Sequence, residues 1–255
     1  MHRHLIKHDA LLADTCVLGK EEARHLQTVL RVKPGDTIQL FDGQGHTRTT
    51  TVTVVEKSSL TLAAVEPVVS HPKAPCAITL FVCISKGKHM DWTLEKAVEL
   101  GVAHIVPVIS DRTIVRVDAD DREAKADRWM RIAEEAARQS GRAWLPDVLT
   151  PRSFKESLAL VTQTTPTFVA ALTPDANPLR DFLLPHPSSL QPATSSLLPP
   201  PSQTGWFVGP EGDFTPDELQ RLLDAGAIPV SLGPLVLRAE TACLYGLCAL
   251  NCAWM

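Results

Sequence analysis

Two glycine-proline segments near the C-terminal end have the residue types of a ligand site. The first, residues 207–219, runs from an apolar stretch into Gly-Pro-Glu-Gly at residues 209–212. Glycines let a backbone approach a ligand closely, and open parallel sheets bind ligands at the carboxyl ends of their strands. Thr215, Pro216 and Glu218 have the spacing of a helix start with a capping box. The alternative interpretation is a tight strand-to-helix connection without a ligand.

The second segment, residues 231–242, leaves an apolar stretch through Gly233-Pro234 and ends in Arg238, Glu240 and the start of a nearly all-apolar helix. Charged groups in such surroundings cost free energy unless they are paired or have a function. Arg238 and Glu240 are therefore the candidate catalytic residues. A purely structural ion pair between them is the alternative.

Other catalytic templates are missing from the sequence. It contains no GxxxxGK[ST], GxSxG or HExxH motif, and the glycine pair Gly43 and Gly45 lacks the strand-helix context of a dinucleotide fingerprint. No CxxC pair occurs among the six cysteines, which are Cys16, Cys76, Cys83, Cys243, Cys248 and Cys252. Because zinc sites need clustered thiolates or imidazoles, we expect reduced cysteines and no metal.

The first 70 or so residues predict a small β-barrel with one helix. A helical pattern covers residues 20–31, and stretches rich in β-branched residues follow at 37–41, 47–55 and 60–65. Asp42-Gly43 between the first two stretches is a hairpin signal.

From Cys76 onward, strands alternate with helices, which is typical of an α/β domain with a mostly parallel sheet. The continuous apolar stretch at 77–84 predicts a strand buried on both faces. Further strands are predicted at 105–109, 168–172, 206–208 and 228–232, and helices at 89–100, 121–140, 216–225 and 240–253. The last helix is apolar on nearly every side, which predicts burial in a core or in a subunit interface.

The net charge of −4 does not indicate a polyanionic partner, so RNA binding would require a local basic surface. No apolar stretch is long enough for a signal peptide or a membrane span, and we expect a cytoplasmic protein. Residues 185–203 contain six prolines and six Ser/Thr residues, which predicts a flexible surface insertion.

Together these segments resemble the knotted-methyltransferase (SPOUT) superfamily, and most closely the 16S ribosomal RNA uridine-N3 methyltransferases, the RsmE family. The resemblance extends along nearly the whole chain except the insertion. The motifs that carry it are His25-Leu26 with Val29-Leu30-Arg31; Gly35-Asp36; Leu40-Phe41-Asp42-Gly43; Lys86-Gly87, Met90 and residues 94–102; Glu135-Ala136 with Gln139-Ser140-Gly141-Arg142; residues 208–212; and Leu232-Gly233 with Leu237-Arg238 and Glu240-Thr241-Ala242.

The resemblance implies a PUA-like RNA-binding barrel over residues 1–72 and a SPOUT methyltransferase domain with a trefoil knot over residues 73–255. It also implies S-adenosylmethionine as cofactor, a homodimer, and 16S ribosomal RNA or the small ribosomal subunit as partner. Three loops would hold the cofactor, through Leu172, Thr173, Val208, Gly209, Pro210, Glu211, Gly212, Ser231, Leu232, Gly233, Leu237, Thr241 and Ala242. The chain departs from the family pattern at Asp213 (commonly glycine), Leu235 (commonly arginine) and Ala239 (commonly threonine).

We expect RNA contacts from basic residues of the N-terminal region and of predicted loops, namely Arg3, His25, Arg31, Lys86, Arg112 and Arg116. Methylation of uridine N3 requires loss of the imide proton, so positioning and electrostatic stabilisation of the anionic ring would provide most of the rate. Arg238 is the candidate for that stabilisation, and Glu240 would orient Arg238 or the cofactor. Two alternatives are a related ribose 2′-O-methyltransferase and a non-catalytic RNA-binding or assembly protein.

Overall fold

The protein consists of two compact units in a computed structural model that describes residues 2–28, 30–183 and 201–254. The N-terminal unit comprises Met1–Lys73 together with Ala137–Leu145, and the C-terminal unit comprises Ala74–Ala136 and Pro146–Met255. The sequence predicted a single division near residue 72. The segment Ala137–Leu145 belongs to the N-terminal unit because its contacts are with residues far away in the sequence. A single division of the sequence at one residue cannot represent this.

The N-terminal unit is built on a six-stranded, mainly antiparallel sheet. Its elements are β1 (His2–Leu5), α1 (His8–Leu12), β2 (Thr15–Leu18), α2 (Lys20–Thr28), β3 (Thr37–Phe41), β4 (His46–Glu56), β5 (Ser59–Ala64) and β6 (Val69–Ser70). The strand order is β1-β3-β4-β5-β2, and β6 pairs with β4. Alternating buried side chains of these strands form a core with Leu11 and Leu26 of the two helices.

The β3–β4 hairpin contacts the segment Ala137–Leu145. The amide of Gly45 donates to the carbonyl of Ala143, and the amide of Leu145 donates to the carbonyl of Gly43. A Cβ atom on Gly43 would lie 2.6 Å from the Leu145 side chain, and one on Gly45 would overlap the Trp144 ring. Both glycines also have positive φ, so the hairpin that Asp42-Gly43 predicted requires them for its turn and for this close approach.

Arg3 is a structural residue of the N-terminal unit. Its side chain is only 8% exposed, and its guanidinium donates to the carbonyls of Ala137 (2.9 Å) and Arg142 (3.1 Å) and to the side chain of Gln39 (2.7 Å). It also lies 4.5 Å from the centroid of the Phe41 ring. Its prediction as an RNA contact is therefore wrong, because the cation is buried and already bonded.

The C-terminal unit has an eight-stranded sheet in which every pairing is parallel. Its strands are β7 (Ala77–Cys83), β8 (His104–Ile109), β9 (Asp147–Val148), β10 (Arg152–Ser153), β11 (Thr167–Ala170), β12 (Asn177–Pro178), β13 (Gln203–Val208) and β14 (Ile228–Ser231). The order is β10-β8-β7-β13-β11-β14-β12, with β9 beside β8. The predicted mixed α/β class with a mostly parallel sheet is confirmed.

The described residues beside this sheet form six helices, which are α3 (Lys88–Glu99), α4 (Arg122–Ser140), α5 (Phe154–Val161), α6 (Arg180–Leu183), α7 (Pro216–Asp224) and α8 (Ala239–Trp254), with a short 3-10 turn at Ala119–Asp121. The last residues of α4, 137–140, are assigned to the N-terminal unit. Phe81 and Phe207 stack at 5.1 Å between ring centroids at the centre of the core. Helix α8 approaches β13 closely, because Gly246 has no side chain where the Trp206 ring lies.

One sequence expectation needs correction. The insertion was predicted to extend to residue 203, but Gln203 begins the central strand β13 and pairs with Ala77; residues 184–200 lie outside the described residues.

Helix α8 is buried on one face within its own unit, so for the other face the predicted burial in a subunit interface stays a prediction. Cys243, Leu247 and Leu250 are buried, whereas Tyr245 is 48% exposed and Cys248 and Cys252 are exposed. Among the described helices, none is long and apolar enough to cross a membrane.

We predict that Arg3→Met lowers the free energy of unfolding by about 3 kcal/mol, because it leaves buried carbonyl acceptors without a donor. Arg31→Met is the matched control, since Arg31 is exposed. Thermal and denaturant unfolding of the two variants measure the effect. Equal midpoints for both variants would contradict the structural role of Arg3.

Candidate active site

Three adjacent parallel strands bring their carboxyl ends to one edge of the sheet. Strand β11 lies between β13 and β14, with Val169 opposite Phe207 and Ala170 opposite Val230. Each strand is followed by a loop, and the two glycine-proline segments are the loops after β13 and β14. This edge is where an open parallel sheet accommodates a ligand.

The loop after β13 is a tight, well-bonded turn. The amide of Asp213 donates to the carbonyl of Pro210 (2.9 Å), and Asp213 has a φ of 60°, a backbone conformation that favours glycine. The carboxylate of Asp213 accepts a hydrogen bond from the amide of Phe214 (2.8 Å), which offsets part of that conformational cost. The departure from the family's glycine is therefore accommodated at this position.

Glu218 connects this loop to the loop after β8. Its carboxylate is 2% exposed and closes the predicted capping box of α7 by accepting from the amide of Thr215 (2.9 Å). The other carboxylate oxygen accepts from the amide of Asp111 (2.8 Å). Next to it, the guanidinium of Arg112 donates to the carbonyl of Gly212 (2.7 Å). Two side chains therefore hold the 209–214 turn against the neighbouring loop.

A cavity of about 280 Å³ lies at this edge, close to the ~300 Å³ lower end for small-molecule pockets. Nine of the thirteen predicted cofactor residues line it: Leu172, Val208, Gly209, Pro210, Glu211, Leu232, Gly233, Leu237 and Ala242. Thr173, Gly212, Ser231 and Thr241 are not among its lining residues. The remaining lining residues are Ala170, Ala171, Asp213, Val230, Leu235, Val236, Arg238 and Ala239.

The cavity is apolar with opposite charges at its border. Glu211 and Asp213 contribute carboxylates, and Arg238 contributes a guanidinium. Cys83 lies close to these acids; burial raises the pKa of its thiol to about 12, and Glu218, Glu211 and Asp213 add to that rise. The Cys83 thiol therefore stays protonated and is not a nucleophile.

The two candidate catalytic residues have different surroundings. Arg238 is exposed at the cavity, and its guanidinium takes part in none of the ion pairs or hydrogen bonds found among the described residues. Glu240 instead faces His89 of α3, with 3.2 Å between Oε1 and Nδ1. An Arg238–Glu240 ion pair, the structural alternative, is not found in the described part of the chain.

His89 is the residue that the sequence analysis missed at this site. It lies 151 positions before Glu240, and no motif linked the two residues. Their contact arises because α3 packs against α8. His89 therefore holds the side chain of Glu240 beside the start of α8.

None of the predicted RNA contacts in the C-terminal unit, Lys86, Arg112 and Arg116, lines the cavity. Arg31, Lys86 and Arg116 are exposed, and Arg112 is exposed but bonded to the 209–214 turn. The side chain of His25 lies outside what the structure describes.

The sequence matches two family models. Residues 72–251 match the one described as RNA methyltransferase domain, and residues 18–65 match the one described as RNA methyltransferase PUA domain. The ribosomal RNA small subunit methyltransferase E of Bacillus subtilis is 29% identical over 239 residues, which cover 94% of this chain and 90% of the relative. That of Synechocystis sp. is 28% identical over 98% of this chain and 77% of the relative.

Solved structures show the same similarity. A ribosomal RNA small subunit methyltransferase E from Neisseria gonorrhoeae, crystallised with S-adenosyl methionine, is 34% identical with a TM-score of 0.83 over 100% of this chain and 98% of its own. A methyltransferase from Legionella pneumophila in complex with the bound cofactor SAM is 27% identical with a TM-score of 0.84, over 98% and 97% of the two chains.

We predict that Glu218→Ala lowers the free energy of unfolding by about 3 kcal/mol, because the part-buried amides of Asp111 and Thr215 lose their carboxylate acceptor. Asp217→Ala, at the exposed neighbouring position of α7, is the matched control. Hydrogen exchange should accelerate at the amides of Asp111 and Thr215 in the first variant only. Unchanged exchange at both amides would show that Glu218 does not connect the loops.

Proposed function

The chain belongs to the ribosomal RNA small subunit methyltransferase E family, and from this premise we propose that it methylates N3 of a uridine in 16S ribosomal RNA with S-adenosylmethionine as donor. The observation that carries the proposal is the apolar cavity at the ends of β11, β13 and β14, with Arg238 at its border. The small ribosomal subunit, or its RNA, is the proposed partner, and the cytoplasm, where ribosomes are assembled, is the proposed location.

The residues of the cavity suit S-adenosylmethionine. Leu232, Val236 and Leu237 offer aliphatic surface for an adenine ring, and the turns at Gly209 and Gly233 expose backbone groups for hydrogen bonding. The carboxylates of Glu211 and Asp213 favour a positively charged ligand. When bound there, the cofactor would supply an electrophilic methyl group on a sulfonium for transfer to N3, with S-adenosylhomocysteine as the leaving group.

Arg238 is the proposed catalytic residue. The imide proton of uridine N3 must pass to solvent water before N3 can attack, and the negative charge left behind spreads over the ring and its carbonyl oxygens. A guanidinium at the border of an apolar cavity stabilises that charge more strongly than water would. Because Arg238 has no described ion-pair partner, its charge is available to the RNA base.

Glu240 and His89 have a positioning role in this proposal. The carboxylate of Glu240 contacts His89 at 3.2 Å and does not pair with Arg238 in the described part of the chain. The guanidinium therefore stays free to point towards the substrate.

We also propose that the protein is a homodimer through α8. Tyr245, Cys248 and Cys252 follow one another at spacings of three and four residues, so they share one face of the helix, and all three are exposed. The opposite face, with Leu247 and Leu250, is buried in its own unit. An exposed, uncharged stripe of one aromatic side chain and two thiols on a long helix suits a contact with a second copy of the chain.

We predict that Ala239→Phe abolishes binding of S-adenosylmethionine, because the ring would fill the cavity from the first residue of α8. Gln220→Phe on the exposed side of α7 is the control and should bind normally. Calorimetric titration measures both. Gly209→Val is a poorer test, since a Cβ atom there would lie 3.1 Å from the Phe214 ring. Normal affinity in a folded Ala239→Phe variant would remove the cofactor from this cavity.

We predict that Arg238→Ala lowers the single-turnover rate of methyl transfer by about 10²–10³-fold while the affinity for S-adenosylmethionine changes little, because the charge it stabilises exists only after N3 is deprotonated. Arg238→Lys should restore the rate in part, since an ammonium lacks the planar fork of guanidinium. The thermal midpoint should not change. Mass spectrometry of digested small-subunit RNA identifies the methylated atom, and a normal rate in Arg238→Ala would rule out this role.

A further inference from the structure

Two histidines and one aspartate converge in the N-terminal unit, outside the cavity. His8 is the first residue of α1, Asp42 follows β3, and His46 is the first residue of β4. One ligand atom of each residue lies within 4.8 Å of the other two. We refer to these three residues as the His–Asp–His cluster.

Asp42 is held rigidly at the centre of the cluster. Its Oδ1 atom accepts from the amides of Gln44 (2.7 Å) and His46 (3.0 Å). Its Oδ2 atom faces Nδ1 of His8 at 2.7 Å and Nδ1 of His46 at 2.8 Å. The carboxyl group at the buried centre of the cluster therefore has a fixed orientation.

The two imidazoles remain accessible. The side chains of His8 and His46 are 37% and 32% exposed, whereas that of Asp42 is 0% exposed. Their rings meet edge to face with 4.9 Å between centroids. Because the rings are in contact and cover Asp42, an ion reaches the carboxylate only when one of the exposed imidazoles turns aside.

The ligand set is suited to a divalent transition metal. Imidazole nitrogen and carboxylate oxygen both bind Zn²⁺ at about 2.0–2.2 Å, and three protein ligands leave the fourth tetrahedral position to water. Tetrahedral geometry at these bond lengths places ligand atoms about 3.3 Å apart. The present distances of 2.7 and 2.8 Å must therefore widen by about half an ångström, as estimated from those bond lengths.

That movement is available to the histidines and not to Asp42. Exposed rings can rotate about their side-chain bonds, and neutral imidazole binds a metal through Nδ1 when its proton resides on the solvent-facing Nε2. The amides of Gln44 and His46 keep Asp42 oriented. Hydrogen bonds to the ligands of a metal site usually orient those ligands in this way.

We propose that His8, Asp42 and His46 form a binding site for a divalent transition-metal ion of the Zn²⁺ type. The ion would connect the start of α1 to the β3–β4 hairpin, which are 34 residues apart from His8 to Asp42. Such a link stabilises the folded N-terminal unit because the unfolded chain does not preserve the site. The site takes no part in methyl transfer, so failure of this proposal leaves the proposed function intact.

The test uses the full chain, stripped of metal with a chelator and titrated calorimetrically with ZnCl₂. The exposed Cys248 and Cys252 could bind zinc independently, so every protein in the test carries Cys248→Ser and Cys252→Ser. The expected result is one ion per chain and a higher thermal midpoint. Co²⁺ should give the visible absorption of a four-coordinate nitrogen and oxygen site.

His8→Ala with His46→Ala should weaken zinc binding by about 100-fold or more and remove the rise in the thermal midpoint. His104→Ala is the matched control, because His104 also lies beside a carboxylate, that of Asp147 at 3.1 Å, but without a third ligand. It should bind like the parent. No zinc uptake by the parent, or equal uptake in the double variant, would overturn the proposal and leave the cluster as a hydrogen-bonded turn.

Discussion

The buried carboxylate of Glu218 is the interaction on which the candidate active site depends. A carboxyl group at 2% exposure is stable only when its oxygens are well bonded, and Glu218 satisfies this with the amides of Asp111 and Thr215. One bond begins α7 and the other draws in the loop after β8. Through that loop Arg112 reaches the carbonyl of Gly212. The shape of the 209–214 turn, and with it one wall of the cavity, therefore depends on Glu218 together with Arg112.

Features governed by short-range rules could be predicted from the sequence. Apolar stretches located β7 and β8, and the end of α3 was correct because Gly101 adopts the positive φ expected after a helix. The capping box of α7 was visible in the spacing of Thr215 and Glu218. The partner of Glu218 at Asp111 was not visible, since it lies 107 residues away and contributes only a backbone amide.

Long-range packing explains where the sequence analysis was wrong or incomplete. A basic residue near the N-terminus suggests an RNA contact, but the carbonyls of Ala137 and Arg142 hold Arg3 in the interior. The apolar sequence of α8 predicted burial in a core or in a subunit interface but could not say which face goes to which; Leu247 and Leu250 are buried in their own unit, whereas Tyr245 is 48% exposed. The sequence alone did not show where the departures from the family pattern at Leu235 and Ala239 lie in the fold. Both residues line the cavity, and Leu235 is 73% exposed there.

The two proposed ligand sites differ in how far residues close together in the sequence indicate them. A site made from loop backbone needs glycine and proline at fixed positions, so the residue types at Gly209 and Gly233 were enough to indicate the cavity. A site made from side chains needs only that the fold bring them together, and neither His8 nor His46 belongs to a recognisable metal motif. The spacing of cysteines was the basis for expecting no metal. That argument applies only to ligands that are close together in the sequence. His8 and Asp42 are far apart in the sequence and become neighbours because β1 pairs with β3.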